Sequence, residues 1–269
     1  MARLVSPTGK AKTLPGVRPN QGLEAAYRKK LDALIEEMQK SLVWWISAAY
    51  RAKPPAMAQD AVGSPAMVMR SVMRQLSRRW QKRFDALAPE MAEYFAKAAK
   101  NRADGAFAEI LKSAGFTVKF KLTAEANDVL QATIGEQVGL IRSIASEHLS
   151  EVEGLVMRSV QTGMDLGSLA KALEERYGVT KRRAALISRD QNAKATASIV
   201  RVRQREVGIT EAIWMHSGAG KHPRRSHVAM SGKRYNIAEG WFDPDAKETC
   251  WPGTLISCHC WAKSVLPGF

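Results

Sequence analysis

All three cysteines of this 269-residue chain lie within eleven positions, in the segment CWPGTLISCHC at 250–260. Together with His227, the residues Cys250, Cys258 and Cys260 offer three thiolates and an imidazole, a set that zinc accepts in tetrahedral geometry. A small glycine-rich module gains folding free energy from such a metal because its own apolar core is thin. These four residues are therefore the candidate metal ligands, and zinc is the candidate cofactor.

The same cysteines allow a second interpretation. Cys-x-Cys is not the usual Cys-x2-Cys spacing of a zinc knuckle. His227 could then hydrogen-bond a loop while the cysteines fill a small core as compact apolar side chains. His222 and His259 are alternative ligands. An odd number of cysteines, and a basic start with no apolar run behind it, favour thiols or metal ligands over a disulfide framework and predict no secretory signal.

A catalytic interpretation of the same region is also open. Arg225 and His227, with Asp243 or Asp245, could form a nuclease-like cluster in which the histidine is the general base and the cation stabilises the phosphate transition state. No nucleophile motif, phosphate-binding glycine loop or closely spaced carboxylate pair accompanies it. We therefore expect no catalytic residues and a non-enzymatic protein. The alternative is a metal-dependent nuclease, or a similar phosphodiester-acting enzyme, centred on His227.

Positive charge is concentrated in the first half of the chain. The net charge is +15, and residues 1–122 hold 22 Lys and Arg against 10 Asp and Glu, whereas residues 123–269 hold 19 against 16. Clustered cations displace counterions from phosphates, so this half predicts contact with a polyanion such as DNA. The apolar content of 45% excludes wholesale disorder, and the apolar run at 42–46 is too short for a membrane span.

The segment from Ser64 to Leu87 shows the charge pattern most clearly. Apolar residues fall on one face of a predicted helix, and Arg70, Arg74, Arg78 and Lys82 step by four along the opposite face. No acidic residue occurs between Asp60 and Asp85, so the usual i,i+4 neutralisation is missing. We call these four cations the basic stripe and predict that they contact DNA, with an ordinary solvated helix face as the alternative.

The remaining pattern predicts a mainly α protein with a small α+β C-terminal module. Helical periodicity covers about 23–50, 65–87, 89–114, 124–160, 166–177 and 180–207, with Pro54-Pro55 ending the first helix and Gly178 separating the last two. Alternation at 116–122 predicts one strand, and strand-like pieces return after Gly208. The predicted domains are a flexible basic arm (1–20), a basic helical domain (21–122), a helical region (123–207) and an α+β module (208–269).

The order of several short elements in the last third of the chain is informative. A helix with Arg189-Asp190-Gln191 and Asn192-Ala193 precedes Gly208, a strand with Trp214, the segment Arg224-Arg225-Ser226-His227, Gly232 and the closing Cys258-His259-Cys260. This order and spacing, over about 150–262, resemble the phage Mu F-like family of head morphogenesis, or minor head, proteins of tailed bacteriophages.

This chain departs from the pattern of that family at three points. The family commonly shows Arg-Thr-Glu where this chain has Arg189-Asp190-Gln191, and Cys-Arg-Cys where it has Cys258-His259-Cys260. The acidic residue often found before Arg-x-x-His is absent here. These departures weaken the transfer of any carboxylate role but leave the expected fold unchanged.

The resemblance implies a function in the virion. It implies a minor capsid protein that acts in head assembly, lies at the portal vertex and in the head interior, and is assembled in the host cytoplasm. The implied partners are the portal protein, the scaffold or major capsid protein, and the packaged phage DNA, with no membrane. Some family members carry a toxin or enzyme domain behind this module, and the nine residues after Cys260 leave no room for one, so we expect none.

Overall fold

The computed structural model describes residues 9–52, 64–218 and 223–268, and four long helices dominate it. Pro54-Pro55 and His222 lie outside these ranges. The helices and short strands confirm the predicted class, mainly α with a small α+β C-terminal module. In chain order, the elements are β1 (Lys12–Thr13), α1 (Gln21–Ala52), α2 (Pro65–Ser113), α3 (Ala124–Thr162), α4 (Leu166–Glu206), β2 (Glu211–Met215), α5 (Arg225–Met230), β3 (Arg234–Asn236), β4 (Trp241–Asp243), β5 (Glu248–Cys250) and β6 (Trp261–Leu266).

The helix α2 is continuous where the sequence predicts two helices. Pro89 lies inside it. Proline lacks the N–H that would bond the carbonyl of Asp85, and in a helix interior it costs about 3 kcal/mol. Burial on both sides of Pro89 offsets this cost, because one helix face stays packed through the site, with no exposed area at Phe84, Ala88, Ala92 and Phe95. The predicted break is therefore wrong.

The predicted break at Gly178 is also wrong, since α4 runs through it without interruption. Thr180 is buried inside the helix, where its hydroxyl donates to the Arg176 carbonyl at 3.2 Å. A glycine in a helix interior costs only about 1 kcal/mol relative to alanine. The buried residues Leu173 and Ala184 continue the apolar face on either side.

The predicted strand at 116–122 is extended but has no strand partner among the described residues. Its alternation still sets which side chains face inward. Phe116, Val118 and Phe120 pack against the core of the C-terminal module, and the residues between them are exposed. The alternation therefore predicted correctly which side chains face inward. A strand also needs hydrogen bonds to a neighbouring strand, and this segment has no such strand among the described residues.

The C-terminal module contains a four-stranded sheet in the order β1-β6-β2-β3 and a separate hairpin of β4 and β5. All pairings are antiparallel, with Trp214 opposite Ala262 and Lys12 opposite Leu266. Residues 9–20, the described part of the predicted arm, lie against this sheet, where Leu14 is 1% exposed. Gly16 permits the close approach, because a Cβ there would lie 2.3 Å from the Trp261 ring.

The chain forms two compact units, each built from discontinuous segments. The first comprises Met1–Glu24, Glu93–Gly135 and Ser188–Phe269, and the second comprises Ala25–Ala92 and Glu136–Ile187. Among the described residues, no helix combines the length and the apolar character that crossing a membrane requires.

A buried arginine in the first unit joins α4 to α2 and to the residues that follow α2. Arg203 on α4 has no exposed side-chain area, and it pairs with Asp104 of α2 at 2.7 Å and with Glu206 at 2.8 Å. The same guanidinium donates to the carbonyl of Lys121 at 2.9 Å. Because a buried guanidinium is stable only when its donors are satisfied, these contacts fix the extended segment 116–122 against α2 and α4.

Candidate functional site

His227 lies at the centre of a buried cluster in the C-terminal module. It sits on the short helix α5, is 1% exposed, and packs edge-on against Trp214 of β2 with ring centroids 4.9 Å apart. Its Nε2 lies 3.1 Å from Oδ2 of Asp243, the last residue of β4. The carboxylate therefore holds the ring with Nε2 toward β4 and Nδ1 free to face the opposite side.

The Nδ1 side of the imidazole faces two of the three cysteines. The Sγ atoms of Cys258 and Cys260 lie 3.4 and 3.6 Å from Nδ1, and the three atoms lie within 4.8 Å of one another. We call His227, Cys258 and Cys260 the Cys-His cluster. Both sulfurs lie on the same side of the segment, as side chains two positions apart do where the backbone is extended. Ser257, just before the pair, takes a left-handed conformation (φ 58°).

Cys250 lies in a different group around the same ring. Its Sγ forms a second set with His227 and Asp243, so the four predicted ligands do not all converge on one point. Cys250 is carried by β5, directly opposite Trp241 of β4. The structure thus brings His227 together with Cys258 and Cys260, and it places Cys250 beside Asp243.

The ionisable groups of this region are strongly perturbed. Hydrogen bonding from Cys260 lowers the pKa of the Cys258 thiol well below its usual range, and the same bond raises the pKa of Cys260. Burial, and then the charge of Asp243, raises the pKa of Cys250 to about 12. Burial opposes ionisation of Asp243, but hydrogen bonds, including one from the Asp245 backbone N–H, outweigh it and lower its pKa. Cys258 is therefore the thiol most readily ionised here.

The loop that carries the cysteines is held by α4. Asp190 accepts a hydrogen bond from the Ser257 backbone N–H at 2.5 Å. Gly253, with φ 87°, donates to Cys258 Sγ at 3.4 Å, and a Cβ at Gly253 would lie 3.2 Å from the Cys260 carbonyl oxygen and 3.3 Å from Ala197. The separate sequence elements at 189–193, 224–227 and 258–260 therefore meet around one loop. Sequence analysis missed Gly253, although glycine beside proline in Pro252-Gly253 is a turn signal.

The comparisons with known proteins agree with this convergence. Residues 150–263 match the family model described as Phage Mu protein F like protein. We refer to these residues as the Mu F-like segment. The match ends three residues beyond Cys260 and includes every residue of the Cys-His cluster, so the cluster is part of the family segment.

A curated relative supports a match over nearly the whole chain. An uncharacterized protein of Haemophilus influenzae is 25% identical over 261 residues, which is 96% of this chain and 56% of the relative. The chain thus spans about half the length of that protein. No solved structure matches the chain.

The basic stripe lies outside the Mu F-like segment, on α2 in the second unit. Arg70, Arg74, Arg78 and Lys82 are all exposed, while the predicted apolar face at Met69, Met73, Leu76, Trp80 and Phe84 is buried. Leu87, predicted on the same face, is only half-buried. The helix therefore orients the stripe toward solvent as its periodicity predicts.

Acidic side chains near the stripe are few, and one of them is already paired. Arg78 and Lys82 line an open groove between α2 and α3, together with Asp85 and Glu153. Asp85 accepts hydrogen bonds from Gln81 at 3.2 Å and pairs with Arg142 at 3.1 Å. Asp85 therefore has partners outside the stripe.

The geometry of the nuclease-like alternative differs from the one expected. Arg224, rather than Arg225, lies near Asp243, at 3.9 Å, and Asp245 accepts from the Ser226 backbone N–H at 3.1 Å. Arg225 is exposed, whereas His227 and Asp243 are buried, with only 1% and 0% of their surface exposed. Since a general base must reach a proton of its substrate, a buried His227–Asp243 pair is better suited to holding structure than to phosphodiester chemistry.

Proposed function

We propose that this chain acts as a minor head protein of a tailed bacteriophage, docking at the portal vertex and in the head interior during assembly. The match of residues 150–263 to the phage Mu F-like family carries the proposal, since that family indicates head morphogenesis and association with other head components. The portal protein is the first proposed partner, and scaffold or major capsid protein are further ones. The relative from Haemophilus influenzae adds length of match but no activity.

Contact with packaged DNA is the second part of the proposal. The basic stripe repeats every four residues, so its cations are spaced by about 6 Å along α2 and span about 18 Å. All four are exposed, and α2 has no acidic residue in its first turn. Duplex DNA carries one negative charge per about 1.7 Å of its axis, so a straight row of cations can neutralise several phosphates with no base-specific contact.

Docking on the portal is tested by co-expression of the full chain with the portal protein of the same phage genome. Size-exclusion chromatography with mass measurement should give one complex of defined stoichiometry. If both proteins are folded and elute separately over the accessible concentration range, the portal role is wrong. The same assay with scaffold and major capsid protein tests the other partners.

The DNA role is tested by the salt dependence of binding to duplex DNA. If the stripe neutralises four phosphates, the slope of log K against log salt should become less steep by about 3 to 4 units when all four cations are changed to Gln. The matched control changes four other exposed lysines to Gln: Lys112, Lys119, Lys121 and Lys171. It removes the same charge, so equal slopes for the two variants would contradict a specific role of the stripe.

A further inference from the structure

The distances within the Cys-His cluster match those of a metal site. A tetrahedral zinc ion has Zn–S distances of about 2.3 Å and Zn–N distances of about 2.0 Å, which separate a ligating nitrogen from a ligating sulfur by about 3.5 Å. The observed separations between His227 Nδ1 and the sulfurs of Cys258 and Cys260 are 3.4 and 3.6 Å. Both nitrogen–sulfur separations therefore match those around a tetrahedral zinc ion, and the two sulfurs lie within 4.8 Å of each other.

We propose that His227 Nδ1, Cys258 Sγ and Cys260 Sγ bind a zinc ion that stabilises the C-terminal module. Two thiolates and an imidazole are soft and borderline ligands that favour zinc over magnesium or calcium. The three side chains are buried and come from α5 and from the loop before β6. An ion held by both would join these two segments.

The surroundings of the ligands fit this assignment. A histidine that binds metal through one nitrogen commonly donates its other N–H to a carboxylate, which fixes the tautomer and the ring orientation. Asp243 Oδ2 lies 3.1 Å from Nε2 and fills that position. On the sulfur side, the Gly253 backbone N–H donates to Cys258 Sγ, as expected around a thiolate that carries negative charge.

Cys250 is excluded from this ligand set by position. It lies with Asp243 in the second group around the ring. A metal on that side would have to displace the hydrogen bond between Asp243 and Nε2. Its ligands would be one thiolate, one carboxylate and the imidazole, instead of two thiolates and the imidazole. Zinc accepts a carboxylate, but a site with two thiolates does not need one. Among the described residues, no fourth His, Cys, Asp or Glu joins the first group.

The test uses the full chain purified without a histidine tag and under reducing conditions. Zinc content per chain is measured for the parent, for Cys258→Ser/Cys260→Ser, and for Cys250→Ser as the matched control, since Cys250 is a buried cysteine of the same module. We expect close to one zinc per chain in the parent and in Cys250→Ser, and almost none in the double variant. Asp243→Asn should bind zinc 10-fold to 100-fold more weakly.

Two results would overturn the assignment. One is a parent chain that holds no zinc as purified and takes up none when zinc is titrated in. The other is a folded double variant that keeps its zinc while Cys250→Ser loses it. Circular dichroism, dominated by the four long helices, establishes that each variant is folded.

A measurement on the parent alone covers the case in which a variant fails to fold. Thiol reagents should react slowly with Cys258 and Cys260 while zinc is bound, and quickly after a chelator removes it, with the sites identified by peptide mass mapping. Equal reactivity of both thiols with and without the chelator, in a chain incubated with excess zinc, contradicts the proposal.

Discussion

The basic stripe and the Cys-His cluster place polar side chains in opposite surroundings. The stripe holds four exposed cations on a single helix, whereas the cluster buries an imidazole and two thiols that come from separate elements. The helical period of α2 is by itself sufficient to form the stripe. The cluster depends on α5, on β4 and on the loop after β5 reaching one point. Exposed charge therefore follows from local sequence, and buried chemistry follows from tertiary contacts.

The largest expected effect comes from comparing a buried arginine of α4 with an exposed one. Arg203→Met leaves Asp104 and Glu206 without their buried partner and should lower the free energy of unfolding by about 3 to 5 kcal/mol. Arg205→Met removes an exposed pair with Glu125 and should cost less than about 1 kcal/mol. Urea unfolding of both variants measures the difference, and equal values would contradict the buried role of Arg203.

A buried histidine in the second unit gives a pH dependence of similar size. Burial, and then the charge of Arg176, lowers the pKa of His148 to about 4. The unfolded chain binds a proton near pH 6.5, so stability from the neutral ring is complete above that pH. It is lost as the pH falls from about 6.5 to about 4, by roughly 3 kcal/mol in total.

The variant His148→Gln should remove this part of the pH dependence, as measured by unfolding at a series of pH values. Thr180→Val is the control, because it removes the contact at 2.8 Å from His148 Nδ1 but keeps the ring buried, and should retain the slope. An unchanged slope in His148→Gln would mean that other groups cause the acid sensitivity.

A smaller effect distinguishes a glycine with positive φ from a glycine inside a helix. Gly253→Ala introduces a Cβ at φ 87° against the Cys260 carbonyl and should destabilise the module by about 2 kcal/mol. Gly139→Ala lies in α3 with nothing within 4 Å of its added Cβ, and should instead stabilise the chain by about 0.5 to 1 kcal/mol. Thermal unfolding reports both, and the opposite signs are the decisive feature.

The smallest effect is expected at the stripe itself. Changing any one of its four cations to Gln should alter the free energy of unfolding by less than about 0.5 kcal/mol, because exposed helix positions tolerate Gln as well as Lys or Arg. Urea unfolding of the four single variants checks this. A loss of several kcal/mol at Arg74 or Arg78 would show that the side chain packs, and would remove it from the DNA-contacting surface.

Long helices were largely predictable from the sequence because their cores repeat with the helical period. The bounds of α1 and α3 fall within two residues of the predictions, and the errors lie at Pro89 and Gly178, where packing of flanking residues outweighs a local breaker. The prediction of a strand at 116–122 was wrong for a different reason, since alternation cannot indicate whether a partner strand exists.

The site was only partly predictable. Residue types singled out His227 and the cysteines. The separation of Cys250 from Cys258 and Cys260 was not predictable, because it depends on which nitrogen of His227 faces Asp243. The left-handed backbone at Ser257, just before Cys258, has no signal in the sequence, since serine has no preference for that conformation.

The pairing of β1 with β6 has a consequence for synthesis on the ribosome. Every segment of the second unit precedes residue 188, whereas the sheet of the first unit needs residues 261–266. At about 5 to 20 residues per second, the last strand emerges roughly 4 to 16 seconds after the second unit is complete. During that interval Leu14 and Val17 have no β6 to cover them. The nascent chain therefore exposes these two apolar side chains until translation of the module is finished.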